Sequence, residues 1–486
     1  MTEDKREHTQ KIKKDKRKHT EKIKEDKREH TEKIKEEVRK DSSRDLTRGP
    51  IAVKIILFAL PLLGSSLIQL MYSSVDLIFV GQFLGTEASA SIGASDLLIT
   101  CMVGFFTGMA VGTNVIAARY FGQRNEEKLK KLIQTIFLAG IAGGIALVAF
   151  AEFFAPIFLS WMGTPEEIYG LAIRYLRIYI LSMVSVVLYN LLSGVIRAMG
   201  DSRTPMLLQL AGGILNIFAD YVCIVYLKLG VEGTAIATVV SQTFAALCVI
   251  AYLCRMKNSY HLNVFGLEFH PAELKSVLKV GVPSGIQSII ITFSNIIIQS
   301  QINTLGVKEI ASFTVYFKAE NMLWLPLLAL GQASVSFVSQ NYGAGQWERI
   351  SKGNRISIFG GAAFTFAEAM LLLLIAPLVV GLFTRDPKVA ALTMQEMRTT
   401  YPLYFMCTVI EILSSNMRSF GKAVYPMAIV IFSYCGVRVL ALFQFMRIFH
   451  SVRGVALSYP VSWTCALLLL GIAYYKIMPE KARKLI

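Results

Sequence analysis

Twelve apolar runs follow one another along the chain, at about 51–80, 90–118, 131–158, 173–196, 204–227, 232–254, 277–303, 311–339, 354–383, 399–416, 424–446 and 454–476. Each is long enough to cross a hydrocarbon layer roughly 30 Å thick as an α-helix. The pattern predicts an all-α membrane protein. The polar positions inside the runs are not scattered. In the first, Ser65, Gln69, Tyr72, Ser73 and Asp76 follow at i, i+4, i+7, i+8 and i+11, which places them on one helical face. In the fifth, Gln209, Gly213, Asn216 and Asp220 follow the same course. A one-sided polar stripe that ends in an acid faces a water-accessible cavity and turns its back on lipid.

A carboxylate inside a span costs roughly 2.5–3.5 kcal/mol on insertion scales, so each such acid marks a candidate functional site. Asp76 lies 15 residues beyond Pro61 and Asp220 lies 15 beyond Pro205. At 1.5 Å per residue both stand roughly 22 Å from the start of their spans, at matching depth. Two acids sharing a low-dielectric pocket cannot both stay ionised cheaply, so such a pair binds a proton. Oxygens of Asp76, Asn216, Asp220 and Tyr72 suit a small hard cation equally well. In the seventh run Gln287, Asn295 and Gln299 lie at multiples of four and are expected to line the cavity without charge. Glu320, in the eighth, is a candidate for substrate binding or gating, and Lys318 two positions earlier cannot face it. Glu368, Glu411 and Arg438 also fall at membrane depth, whereas Asp96 and Glu152 lie near the outer surface.

The chain repeats itself. A shift of 221 places Leu84-Gly85 on Leu305-Gly306, Gly122 on Gly343, Arg197 on Arg418, Gly200 on Gly421, Pro205-Met206 on Pro426-Met427 and Ser241 on Ser462, and a shift of 222 places Pro61 on Pro283. With six spans per repeat, both copies start on the same side of the membrane and are related by an axis along its normal. The expected architecture is therefore twelve transmembrane helices in two pseudo-symmetric six-helix lobes around a central cavity. The segments are a charged tail 1–49, an N-terminal lobe 50–254, a linker 255–276 and a C-terminal lobe with tail 277–486. The shift carries Asp76 to Ile297 or Ile298, Asn216 to Val437 and Asp220 to Ala441, all apolar. A packing role belongs in both lobes. A role confined to one points to function.

Composition narrows the class. Of 486 residues 54% are hydrophobic and 17% charged, with a mean hydropathy of +0.50, too apolar for a soluble protein of this size. The net charge of +16 does not imply nucleic acid, because the lysines and arginines concentrate in the first 48 residues and in short segments such as those around Arg124, Arg255 and Lys279. These segments follow even-numbered spans, so the positive-inside rule places both termini in the cytosol of a cell-membrane protein. Residues 4–40 contain three copies of an eleven-residue unit (4–36) whose Ile12, Ile23 and Ile34 make too thin a seam for a coiled coil. A solvated, partly helical tail is expected there, or a tether to anionic lipid or to a partner. The seven cysteines, odd in number and without C-x-x-C spacing, read as reduced space-fillers. No cleavable signal peptide is expected, because the N-terminal segment is charged throughout and has no apolar core. No G-x-x-x-x-G-K-[ST] occurs, so an ion gradient, not ATP, is the expected energy source, and neither enzymatic activity nor a cofactor or metal site is expected.

Four stretches, Y-S-S-V-D-L-I-F-V-G-Q-F-L-G (72–85), R-A-M-G-D-S-R-T-P (197–205), L-N-I-F-A-D with G-V-E-G-T-A-I-A-T (215–238) and Q-N-Y-G-A-G (340–345), make residues 50–478 resemble the multidrug and toxic compound extrusion transporters. The acid of span one and the N-x-x-x-D of span five look like the cation site of the prokaryotic branch named for the DNA-damage-inducible transporter. Asp76, Asn216 and Asp220 carry over by position. Another branch uses a carboxylate in span seven, where this chain has only amides. The resemblance implies a monomer that exports amphipathic, often cationic compounds in exchange for H+ or Na+, with span one shifting near a hinge at Pro61. A lipid-linked oligosaccharide flippase shares the architecture and is the alternative. It would need several basic residues in the cavity, for which only Lys318 and Arg438 are candidates.

Overall fold

The computed structural model describes residues 45–478 and residue 480, with the backbone alone at Tyr72, Ser73, Leu77 and Ile78. The eleven-residue repeats of the tail lie outside the described residues. Among those described there are helices and no strands. Six helices form the first lobe: α1 (Ile51–Phe83), α2 (Thr86–Gly122), α3 (Glu126–Trp161), α4 (Glu166–Leu181 continued by Met183–Ala198), α5 (Arg203–Tyr226) and α6 (Val231–Arg255). Six form the second: α7 (Pro271–Asn303), α8 (Val307–Gly343), α9 (Trp347–Leu374), α10 (Pro387–Thr400 continued by Phe405–Ser419), α11 (Val424–Phe449) and α12 (Val452–Ile477).

Ten of these are long and apolar enough to span a membrane by themselves, and α4 makes an eleventh although it bends by 42° at Ser182. The Ser182 hydroxyl donates to the Tyr179 carbonyl at 2.7 Å, drawing that group out of the helical ladder where the bend falls. Helix α10 is its counterpart by the shift of 221 and breaks at the same place, through the turn Tyr401–Leu403 that contains Pro402. It is the most polar of the twelve, with Glu396, Arg398, Glu411 and Arg418. The tenth apolar run, read as 399–416, catches only its second half, because the helix starts at Pro387 under an Asp386 cap on the Lys388 amide at 2.8 Å.

The lobes meet at the end that carries the basic loops. There α2 crosses α7 on glycines: a Cβ on Gly112 would stand 2.6 Å from the Gly281 amide and the Val277 carbonyl, and one on Gly108 would strike the Gly285 backbone. Further along, Gly122 abuts the Gln340 carbonyl and Gly343 abuts the Arg119 carbonyl. Bare backbone is what lets these helices approach. The hydrogen bonds repeat the two-fold relation. Arg119 donates from Nε and Nη2 to the Ser419 carbonyl at 3.1 and 2.5 Å, and Gln340 donates to the Ala198 carbonyl at 2.7 Å. Both pairs are related by the shift of 221.

A short strap seals this end. Leu46, 2% exposed, is buried among second-lobe residues. Its amide donates to Gln340 at 3.0 Å, and its carbonyl accepts from Asn341 and Arg349. Asp45 reaches the first lobe through Arg124 at 2.9 Å.

Candidate functional site

Helices α1 and α5 pack side by side, which brings their polar stripes together. The Ser65 hydroxyl donates to Gln209 Oε1 at 2.5 Å, the first rung between them. Three turns further along, the carboxyl groups of Asp76 and Asp220 adjoin. Asp220 is fully buried and Asn216, one turn before it, is 3% exposed. Asp76 Oδ1, Asn216 Oδ1 and both oxygens of Asp220 are buried, and among the described residues none accepts a hydrogen bond. A buried unsatisfied oxygen costs about 1–3 kcal/mol, more when charged, so four in one place are a concentrated expense. Immediately after Asp220 the helix widens into a π-helical turn, Tyr221–Tyr226, a distortion that recurs at functional sites. Two carboxylates and the amide oxygen of Asn216, none of them satisfied by a described donor, form an acceptor set for a proton or a hard monovalent cation.

Tyr175, on α4, is buried beside Asp76, Asp96 and Asp220 and was not a candidate from the sequence, where a tyrosine in an apolar run carries no signal. The Tyr72 side chain lies outside the described residues, so its place in the set stays a proposal.

Toward the basic end the stripe opens into a cavity of about 170 Å³ walled by the N-terminal lobe, with Gln332 and Val335 of the second lobe at its edge. Gln69 and Gln209 line it as expected from their spacing, together with Asn114, Asn190, Gln242 and Gln332. A smaller pocket shares Tyr189, Gln209 and Gln242 with it and runs on to Asn216. Polar side chains thereby lead from the cavity to Asn216, one helical turn before Asp220. Pro61 sits inside α1, one residue before cavity-lining Leu62.

None of the other expected cavity residues lines this cavity. Gln287 is buried and accepts from Arg418 Nη2 at 3.2 Å, which makes it an interhelical bond between α7 and α10. Asn295 is exposed, and Gln299 donates to Asn303 at 2.9 Å on its own helix. Glu320 belongs to a second polar cluster inside the C-terminal lobe: it accepts from Tyr404 at 3.2 Å and Tyr316 at 3.4 Å, near Arg438. Arg438 follows a π-helical turn, Phe432–Val437, lies 4.0 Å from the Tyr434 ring and 4.7 Å from that of Tyr459, and donates to Ser462 at 3.1 Å. Glu396 is the residue the apolar pattern missed. It is fully buried on the first half of α10, accepts from Ser312 at 3.1 Å and leaves Oε2 unpartnered.

A family model described as MatE matches residues 61–222 and 283–443, two blocks at the offset with which the sequence repeats. The probable multidrug resistance protein YoeA of Bacillus subtilis is 27% identical over 433 residues, covering 87% of this chain and 93% of its own. The multidrug export protein MepA of Staphylococcus aureus is 23% identical over 430 residues, 88% of this chain and 94% of its own. Among solved structures, an outward-facing MATE family transporter of the MOP superfamily superposes with a TM-score of 0.82 at 23% identity, over 89% of this chain and 98% of that one. A MATE transporter in its bent conformation gives 0.83 at 22% identity, over 90% and 99%.

Proposed function

The chain belongs to the MatE family of multidrug efflux transporters, and from that premise we propose that it exports organic compounds, cationic ones among them, in exchange for H+ or Na+ bound at Asp76, Asn216, Asp220 and Tyr72. It is a transporter and not an enzyme. The observation that carries the exchange is the cluster of four buried oxygens on α1 and α5 that lack donors among the described residues and reach the smaller pocket at Asn216. A cation or proton supplies what they lack, and its departure restores the cost of burying them.

In this reading the basic end faces the cytosol, with both termini there, and closure at that end makes the conformation outward-facing. A cation entering from outside is shared between the two acids, which lowers their mutual repulsion and draws α1 and α5 together. The Ser65–Gln209 contact lies on the same two helices, so their approach narrows the wall that holds substrate. Bending of α1 at Pro61, where no amide hydrogen completes the ladder, gives that movement a hinge. Ion and cargo then exclude each other, and alternating access converts the exclusion into exchange. Glu320 and Gln287 belong to the second lobe's packing in this scheme and not to the ion site.

The test is dye uptake into inverted vesicles under an imposed pH or Na+ gradient. Uptake driven by one gradient and abolished by the double substitution Asp76→Asn, Asp220→Asn is expected. Undiminished uptake by that variant overturns the assignment, and the gradient that works identifies the ion.

A further inference from the structure

The shift of 221 relates Arg197 to Arg418 and Asn190 to Glu411, and the two pairs differ by one charge. In the C-terminal lobe, Arg418 is buried and neutralised: Nη1 meets Glu411 Oε1 at 2.9 Å and Nη2 meets Gln287 at 3.2 Å. In the N-terminal lobe, the place of Glu411 is taken by Asn190, whose amide donates to the Val186 carbonyl at 2.8 Å. Arg197 donates from Nε to the Ser193 carbonyl at 3.2 Å and from Nη1 across the lobes to Gln332 at 2.8 Å. Neither acceptor is charged. Its Nη2 makes no hydrogen bond among the described residues, and Arg197 lines the cavity.

The rest of that lining carries no aspartate or glutamate; it is serine, threonine, asparagine, glutamine, tyrosine and aliphatic. The cavity thus holds a single guanidinium, half-buried, without a counter-ion in its wall. A charge kept out of water without an opposite one is costly, and a planar fork of donors matches a carboxylate in both shape and sign. Asn190 and Gln332 stand beside it to complete the bonding of a second oxygen.

We propose that Arg197 forms an oxyanion subsite at the floor of the cavity, so that the transported compounds include amphiphiles carrying a carboxylate, zwitterions above all. The proposal rests on the transport reading given above and deepens it. A zwitterion can set its carboxylate on Arg197 while its cationic end points along the polar wall toward Asn216 and the paired acids. One guanidinium fits a single carboxylate better than a diphosphate, which needs several.

The experiment measures equilibrium binding of rhodamine B, a zwitterionic free acid, and of its ethyl ester, the same cation with the carboxylate masked, to the full-length purified protein. The wild-type chain is expected to hold the acid about 10-fold tighter than the ester, the worth of one charge-assisted hydrogen-bonded contact. Arg197→Gln brings that ratio to about 1, and Arg197→Lys keeps part of it. Asn190→Glu is the second variant, needed if loss of the arginine impairs folding. It copies the other lobe's ion pair into this one, neutralises Arg197 in place and also brings the ratio to about 1. Equal binding of acid and ester by the wild type, or a ratio that survives both Arg197→Gln and Asn190→Glu, overturns the proposal. Gradient-driven transport of the ester by the wild type is scored separately: its absence counts against the transport reading, whereas an absent acid preference with transport intact counts against this subsite alone.

Discussion

The two lobes share a backbone plan and repeat it at a fixed offset, yet they treat a buried acid in opposite ways. In the C-terminal lobe Glu320 receives hydroxyl donors from Tyr316 and Tyr404 and has Arg438 nearby, a cation fixed between two tyrosine rings. In the N-terminal lobe Asp76 and Asp220 have each other and a row of unpaired oxygens. The position matching Arg438 is Ile217, one residue from Asn216. The Glu320 cluster carries its counter-charge covalently; in the proposed reading Asp76 and Asp220 take theirs from solution. A permanent cation makes a rigid structural cluster, and an exchangeable one makes a site whose occupancy can drive a conformational change. The same inversion recurs toward the basic end with the sign reversed, where Arg418 is neutralised by Glu411 and Arg197 is left for a ligand.

Stability separates the two arrangements most strongly at Arg438. It is 3% exposed and held by ring faces and Ser462, so Arg438→Met removes a built-in cation from beside a retained carboxylate. A loss of about 3 kcal/mol is expected, the cost of stripping one partner from a buried charge cluster. Denaturation of the purified protein in detergent, followed by circular dichroism, measures it. A variant as stable as the wild type breaks the contrast, because Glu320 would then need no counter-charge.

The N-terminal lobe is expected to respond with the opposite sign. Asp220→Asn keeps the shape, removes a charge that nothing in the wall compensates and adds an amide that can donate to Asp76. Stability in the absence of Na+ should rise by about 1–2 kcal/mol, in the range of one buried polar group relieved. Gradient-driven export is lost in the same variant. A gain in stability paired with a loss of transport is the mark of a site held in strain for function, and the same denaturation experiment reads it. A destabilised Asp220→Asn protein would mean that the acid already has a native partner.

Much of this was legible in the residues themselves, and the limit has a physical cause. Spacing at i, i+4, i+7 and i+11 is a property of one helix, so the stripes on α1 and α5, and with them Asp76, Asn216, Asp220, Gln69 and Gln209, could be read directly. The repeat gave the lobes because a fixed offset survives where identity does not. What could not be read is which stripe meets which. Gln287 has the right residue type and spacing for a cavity, but packing of α7 against α10 turns it onto Arg418. Tyr175 and Glu396 are matched by the shift of 221 and both lie near their lobe's acids, one hidden as an ordinary aromatic and the other left outside an apolar run cut short by its own polarity. Only the pairing of helices discloses them.

The smallest effect is expected at the basic end, where the strap before α1 ties the lobes with unequal strength. To the C-terminal lobe it is bound through its backbone: the Leu46 amide and carbonyl and the Gly49 carbonyl engage Gln340, Asn341 and Arg349, while the Leu46 side chain is buried. To the N-terminal lobe it is bound by Asp45 and Arg124, whose side chain is 68% exposed. An ion pair so open to water is worth about 0.5 kcal/mol, and salt weakens it further. Asp45→Asn retains the oxygen that accepts from the Thr47 amide at 2.8 Å, so only the charge is lost. The expected result is a shift of about 0.5 kcal/mol in detergent denaturation that vanishes at high salt. A larger, salt-independent loss would mean that Asp45 holds the two lobes together and that the strap belongs to both equally, removing the asymmetry at this end of the molecule.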